Sequence, residues 1–387
     1  MANRRSSAAR KTSATGKRKM NKREEQKKKI LLVVLEIICV LILLAILYVW
    51  SFIGKIDFNP FDRDNAGINS DLSMESILQQ EGYTNIAIFG LDNRSGGNYD
   101  SGNSDVIMIA SIDNKTKDVK LVSVFRDTYL NVGDGKYNKA NYAFARGGAE
   151  RAVQMLNTNL DLTITEYVCV DWVALIETID ALGGVEIELT DAEVKYINKY
   201  VTDMHGEIGS DLDLISGSGT QTLSGVQATA YARIRYTAGS DFKRASRQRI
   251  VLEAMLNKAK QSDLGTLLDI CNLVFDDIST SLELGEILAL ATDVAKYNIH
   301  STTGFPFELT TGDVGKIGDC VIPVGLEDDI TQLHYFMFGV ENYDPSPTAK
   351  AISNMIIANT GVTADAPTID VSDYNDTAGQ GGTDFGN

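Results

Sequence analysis

Residues 30–53 read ILLVVLEIICVLILLAILYVWSFI, twenty-four positions with one charge, Glu36. At about 1.5 Å per residue a helix of that length crosses a hydrocarbon core of about 30 Å. Signal-peptide cores are shorter, about 7–15 residues, and close on a small-residue cleavage site. This run closes instead on Tyr48, Trp50 and Phe52, aromatic residues at the depth of a membrane interface. It therefore reads as an uncleaved single-pass anchor. Glu36 lies about one and a half turns from the basic end, within reach of Lys28 or Lys29, and reads as a tolerated near-interface carboxylate.

The anchor separates two regions of opposite charge. Residues 1–29 carry twelve Lys or Arg against Glu24 and Glu25, a balance of +10, whereas residues 54–387 carry 24 basic and 49 acidic residues, a balance of −25. The positive-inside rule keeps the first region cytoplasmic and sends the second outside. An acidic ectodomain lacks the excess cation needed to displace counterions from phosphate backbones, so nucleic acid is not an expected partner. The basic tail has no branched aliphatic or aromatic residue from which to fold an effector, and suits contact with anionic lipid headgroups.

Residues 54–82 are polar and turn-rich and read as a linker. NIAIFGL (85–91), DVIMIASID (105–113) and VKLVSVF (119–125) are β-rich runs separated by short turns. A helix near 149–158, a strand at 165–170, a helix at 172–182 and a strand at 184–189 then give α/β alternation. Thr190 with Glu193, and Ser224 with Gln227, have capping-box spacing and predict helix starts. Another helix fits 244–262. The main domain is thus expected over 83–263, with 264–360 as an extension or subdomain containing leucine-rich helices, a β-like passage at 299–324 and a last helix near 345–359. The Gly-, Thr- and Asp-rich residues 361–387 are expected to be disordered.

Five of the ten ectodomain arginines fall within residues 233–249. Arg233 and Arg235, two apart in YARIRY, face together only in extended chain. Arg244 and Gln248, with Arg247 between them, share one face of a helix. Strand followed by helix makes a corner lined by guanidinium groups, which bind phosphate oxygens in bidentate fashion and stay protonated. Arg126-Asp127 follows a third apolar strand and adds to the set. The competing reading pairs these arginines with acids such as Asp241 for solubility. Asp92 at the end of the first strand and Asp105 at the start of the second can meet at one sheet end, either as Mg²⁺ ligands or as turn caps. His205, His300 and His334 are far apart and fit no catalytic motif, and no Walker loop is present. Of the cysteines, Cys39 lies in the apolar run. Cys169, Cys271 and Cys320 lack zinc-ligand spacing, and both a Cys271–Cys320 disulfide and buried thiols are compatible with the sequence.

In order and spacing, NIAIFGLDNR, SDVIMIASID, SVFRDTYL, KYNKANYAFARGGAERA, DALGGVEIEL, LSGVQATAYARIRY and DFKRASRQR resemble the LytR-CpsA-Psr family. The resemblance implies an α/β fold, an α/β/α sandwich with a central mixed sheet, and a hydrophobic channel for a polyprenyl tail. The implied activity is Mg²⁺-assisted transfer (Mn²⁺ as substitute) of a polyprenyl-pyrophosphate-linked glycopolymer, such as teichoic acid or capsule, to peptidoglycan. Position by position, Asp92 and Asp105 would hold the metal. Arg94, Arg126, Arg233, Arg235 and Arg244 would grip the pyrophosphate with Gln248 beside them, and Asp127 would orient Arg126 or the metal shell. Asp92, Arg126, Arg233 and Arg235 are the implied catalytic set. Two positions depart from the family pattern: Asn103 where Arg is usual, and Lys136-Tyr137-Asn138-Lys139 where the family has a lysine-hydrophobic-Asn-His run. Water as acceptor would make the same site a pyrophosphatase, and a non-catalytic lipid-binding envelope regulator is the third reading.

Overall fold

The computed structural model describes residues 57–58, 61–91, 102–235, 240–274 and 277–372. The run at 30–53, Asp92 and Arg94 lie outside these; among the described residues no helix is long and apolar enough to cross a membrane.

Strand β1 (Asp57–Phe58) leads to α1 (Met74–Gln80), and β2 (Tyr83–Leu91), β3 (Ser104–Asp113) and β4 (Asp118–Val124) follow. A hairpin of β5 (Tyr129–Asn131) and β6 (Tyr137–Lys139) precedes α2 (Asn141–Leu160), β7 (Glu166–Val170) and α3 (Trp172–Ala181). Next come β8 (Val185–Leu189), α4 (Asp191–Ile208), β9 (Gly219–Leu223), α5 (Gly225–Ala232) and α6 (Ser240–Ala259). The chain closes with α7 (Leu264–Val274), β10 (Ile278–Thr280), α8 (Leu284–Asp293), β11 (Asn298–Phe305), β12 (Leu309–Asp313), β13 (Asp319–Pro323), α9 (Leu326–Phe338) and α10 (Pro347–Thr360).

Seven strands form one mixed sheet in the order β1-β10-β7-β2-β3-β4-β11. β2, β3 and β4 pair antiparallel, while β7 joins β2 and β11 joins β4 in parallel. Successive side chains on a strand point to opposite faces, so each central strand serves two layers. Ala87, Phe89, Ile107 and Ile109 point to one face and pack against α2, α9 and α10 through Phe144, Leu156, Leu333 and Ile352. Ile86, Ile88, Met108 and Ala110 point to the other, toward Leu252 and Leu256 of α6 and Ile287 and Leu290 of α8. The expected α/β/α sandwich with a central mixed sheet is therefore present. Beyond α6, a further apolar group joins α3, α4, α5 and the antiparallel pair β8–β9.

Both predicted capping boxes form, Thr190 with Glu193 at α4 and Ser224 with Gln227 at α5. The helix expected near 149–158 starts earlier, at Asn141, and is kinked at Gly147 and Gly148, the latter at φ 63°. Glycine adopts that left-handed backbone without a Cβ clash, which lets the helix break and resume.

Several expected boundaries move. β10 and β11 are strands of the central sheet, and α9 and α10 cover one of its faces, so 264–360 is built into the main fold. Its leucine-rich helices close layers that residues 83–263 leave open. The linker is likewise incorporated: Phe61 and Ala66 are buried, Phe61 edge-on to Tyr167 at 6.2 Å. Val371 is buried beside Phe125, and the Ile369 amide donates to the Leu309 carbonyl, so 361–372 packs against the body. Residues 373–387 lie outside the described set. Cys169, Cys271 and Cys320 are free thiols, which removes the disulfide alternative.

Candidate active site

Between the second face of the sheet and α3, α5 and α6 lies a cavity of about 520 Å³. Its walls are apolar over most of their length, with Ile86, Ile88, Met108, Leu175, Leu252 and Met255 among the lining side chains. The character changes at one end of the strands. There the lining passes from Ala110, Met108 and Val106 on β3 to Asp105, and Arg233, Arg235, Arg244 and Gln248 also belong to the wall. Five residues of extended strand separate Ala110 from Asp105, about 17 Å at strand rise. At the same end Gly90 lies against Val106: a Cβ there would fall 2.6 Å from a Val106 methyl, so a bare backbone is required where the two strands approach.

Asp105 is the hub of the charged end. Its Oδ1 accepts from Arg126 Nη1 at 2.5 Å and its Oδ2 from Arg235 Nη2 at 3.0 Å. Asp241, in the first turn of α6, stands 3.6 Å from Arg126 Nη2, 3.9 Å from Arg235 Nε and 3.2 Å from Arg244 Nη1. Asp127 approaches Arg126 Nε at 3.7 Å and Lys139 Nζ at 3.3 Å. Arg126 and Asp127 do not line the apolar cavity. They line a small adjoining hollow that shares Asp105, Arg244 and Gln248 with it. Gln248 sits one helical turn from Arg244, as the spacing predicted.

The expectation for Arg233 and Arg235 needs correcting. Tyr231 and Ala232 still belong to α5, and Arg233 is its C-cap with φ −93° and ψ −10°, so the chain here is not an extended strand. The capping box at Ser224 starts a helix that runs through YA before the chain leaves it. The two arginines consequently take different partners. Arg233 lies with its guanidinium 3.4 Å from the centroid of Trp172 and 5.3 Å from that of Tyr200, with Glu207 at 3.8 Å. Arg235 turns to Asp105. Both still line the same end of the cavity.

Electrostatics separate the arginines further. Burial disfavours the charge on Arg126, but Asp105, Asp127 and Asp241 outweigh it and hold its pKa above the ordinary value. Arg244 is different: burial, with Arg126 and Arg235 beside it, brings it down to about 10 in spite of Asp241 and Asp105. Its Nε and Nη1 make no hydrogen bond within the protein. Both guanidiniums remain charged at neutral pH. A buried cation with unbonded donors at the end of a cavity is arranged for an anion.

Of the two aspartates expected to hold a metal, Asp105 is described and Asp92 is not. Each carboxylate oxygen has two acceptor positions, so one guanidinium bond on each Asp105 oxygen leaves capacity for a hard cation. Among the described residues no group of three or more His, Cys, Asp or Glu is placed to hold a metal, so phosphate oxygens and water would have to complete the shell. His334 is buried and stacked on Tyr343 at 3.6 Å, His205 and His300 are exposed, and none is at this site.

Sequence reasoning assigned Asp241 only as a solubility partner and Glu193 only as a helix cap, and Trp172 and Tyr200 carried no site assignment. Trp172 carried one signal: it begins a helix immediately after Asp171, whose side chain caps it.

The model of the LytR_cpsA_psr family matches residues 59–313. The polyisoprenyl-teichoic acid–peptidoglycan teichoic acid transferase TagU of Enterococcus faecalis is 30% identical over 211 residues, which cover 54% of this chain and 64% of that protein. TagU of Bacillus cereus is 31% identical over 255 residues, covering 64% of this chain and 77% of the relative. In fold, the chain is similar to the solved structure of Bacillus subtilis YwtF (TagT) with bound octaprenyl pyrophosphate lipid, with a TM-score of 0.51 and 21% identity over 68% of this chain and 92% of that one.

Proposed function

The chain belongs to the LytR_cpsA_psr family, and from that premise we propose that it is a membrane-anchored, extracytoplasmic phosphotransferase that moves a polyprenyl-pyrophosphate-linked glycopolymer, of the teichoic acid kind, onto peptidoglycan. One observation carries the reading: the apolar cavity ends in Arg233, Arg235 and Arg244 around Asp105. A donor with an isoprenoid tail and a doubly charged head has the same division of character, and the named activity of the TagU relatives supplies the substrate class. The apolar run at 30–53 and the basic residues before it place the site outside the cell under the positive-inside rule.

The isoprenoid lies along Ile86, Ile88, Met108 and Leu252, where burial of its surface contributes about 25 cal/mol per Å². Its pyrophosphate meets the guanidiniums of Arg233, Arg235 and Arg244, with Arg126 approaching from the adjoining hollow and Arg94 added by the family resemblance. A hydroxyl oxygen of peptidoglycan attacks the phosphorus that bears the glycan. The bond from that phosphorus to the bridging oxygen breaks, polyprenyl monophosphate leaves, and the hydroxyl proton passes to solvent. Negative charge gathers on the bridging oxygen as it leaves with the polyprenyl phosphate, and arginines already ordered by Asp105 and Asp241 stabilise it without reorganising. Mg²⁺, held by Asp105 with Asp92, would supply further neutralisation of that charge. Trp172 holds the Arg233 guanidinium over its ring, which restrains the position of that cation.

The test is transfer from purified lipid-linked teichoic acid to peptidoglycan by the full-length chain, with the double substitution Arg233→Ala and Arg235→Ala. Loss of transfer by at least about 100-fold is expected, since each charge-assisted bond contributes roughly 1.5–3 kcal/mol. Retained transfer by the folded variant refutes the assignment, and release of free phosphoglycan in place of a joined product makes water the acceptor.

A further inference from the structure

Behind the charged end of the cavity sits a buried ion pair that touches neither the cavity nor the adjoining hollow. Arg247 on α6 is 1% exposed and Glu193 on α4 is 8% exposed. Arg247 Nε donates to Glu193 Oε1 at 3.0 Å, and Arg247 Nη1 donates to the backbone carbonyl of Ile234 at 3.2 Å. Ile234 is fully buried and is the residue between Arg233 and Arg235. Glu193 is fixed in turn, because its Oε2 accepts from the amide and the hydroxyl of Thr190 at 3.0 and 2.8 Å. A continuous line of bonds therefore runs from the first turn of α4, through Arg247, to the peptide that joins two arginines of the site.

Such a pair is a costly way to gain stability, since well-packed apolar residues commonly serve as well or better. Its geometry suggests a reason for it. α5 ends at Ala232, and residues 234 and 235 belong to no strand or helix that would set their direction. Arg233 must turn to Trp172 and Arg235 to Asp105, and the orientation of the peptide between them decides both. A planar guanidinium with donors in a rigid fork can hold a carboxylate and a carbonyl at once, which an ammonium on a flexible stem does poorly. Burial works against the charge on Glu193, but the Thr190 bonds and Arg247 hold its carboxyl below the usual range, so the pair stays ionised at neutral pH.

We propose that Arg247, oriented by Glu193, is a positioning residue that holds the Ile234 peptide and through it sets Arg233 and Arg235 for the pyrophosphate. The role rests on the phosphate-binding reading above and adds to it the element that orders those arginines before substrate arrives.

The experiment measures binding of farnesyl pyrophosphate and of uncharged farnesol to the full-length chain in detergent by titration calorimetry. Arg247→Lys keeps the charge and loses the fork, and Glu193→Gln keeps the shape and loses the charge. Both are expected to weaken farnesyl pyrophosphate at least tenfold while farnesol stays within twofold. In an Arg235→Ala background, Arg247→Lys should cost less than it does in the wild type, because part of its effect passes through Arg235. Three results overturn the role: wild-type affinity for the pyrophosphate in both variants, equal loss of both ligands, or fully additive losses in the double variant. If the wild-type chain itself does not prefer farnesyl pyrophosphate to farnesol, the phosphate reading falls, and the positioning role falls with it.

Discussion

Replacing Arg244 by Met is expected to make the protein more stable and less able to bind its ligand. The side chain is 5% exposed, two of its nitrogens make no hydrogen bond in the protein, and Asp241 at 3.2 Å is its ion-pair partner. Bringing a guanidinium down to about 10 corresponds to roughly 3 kcal/mol against its charged form in the folded state. Because the folded value is depressed, the cost is fully present at neutral pH and disappears only as pH rises through about 10 toward the unfolded value. Met keeps the length, suits the apolar lining and abolishes that cost. Asp241 is not stranded, since Arg126 and Arg235 remain at 3.6 and 3.9 Å. Allowing for the lost Asp241 pair, the gain should be about 1–3 kcal/mol, at roughly 2–4 °C of Tm per kcal/mol for a domain of this size. Ligand affinity should fall by about 10- to 1000-fold, one or two charge-assisted bonds. Thermal denaturation of the full-length chain at pH 7, with and without farnesyl pyrophosphate, reads both effects. A variant that melts below the wild type without ligand refutes the reasoning.

The other expectations concern the cavity and the packing around it. Ala110→Trp projects a ring into the 520 Å³ cavity, and both farnesol and its pyrophosphate should bind at least tenfold more weakly in calorimetry; unchanged binding means the isoprenoid lies elsewhere. Phe61→Ala should cost about 3–5 kcal/mol in urea unfolding, as for a large side chain removed from a core. A loss under about 1 kcal/mol would show that the segment before α1 contributes little to the body. Burial pushes His334 down to about 4, so the unfolded chain takes a proton near pH 6.5 that the native one resists. Stability should therefore fall by up to about 3 kcal/mol as pH drops from 6.5 to 4. His334→Phe should flatten that slope, and parallel pH profiles would assign it to other groups.

The layers of the fold were legible where a local rule decides them. NIAIFGL and DVIMIASID were legible as β-rich runs, whose strand geometry puts odd and even residues on opposite faces, and Thr190 and Ser224 announced α4 and α5 through their own side chains. The extent of the domain was not legible. β11 pairs with β4 across about 180 residues of chain, and nothing within 299–305 says which edge it will join. The same holds for Phe61, whose burial depends on Tyr167 far along the sequence. A turn-rich composition describes the backbone of residues 54–82 and is silent on a single aromatic anchor within them.

The site divides along the same line. Residue type and local spacing were enough to single out Asp105, Arg126, Arg244 and Gln248, and these do converge. The conformation around Arg233 was misread because the i, i+2 spacing was weighed without the helix that Ser224 had already started. What no spacing could give is the pairing: Asp105 meets Arg126 across 21 residues and Arg235 across 130. The two readings of the arginines, phosphate grip and acid pairing, were treated as rivals, yet the acid pairing seen in the fold is compatible with the proposed phosphate grip. Guanidiniums gathered this closely repel one another, and Arg244, depressed to about 10, shows the residue of that repulsion together with burial. Asp105 and Asp241 offset part of it and fix the directions of the forks, so under the proposed function an incoming pyrophosphate would find cations already oriented. An acidic chain is thus no obstacle to an anion site, because its carboxylates are what allow the arginines to be assembled without an anion.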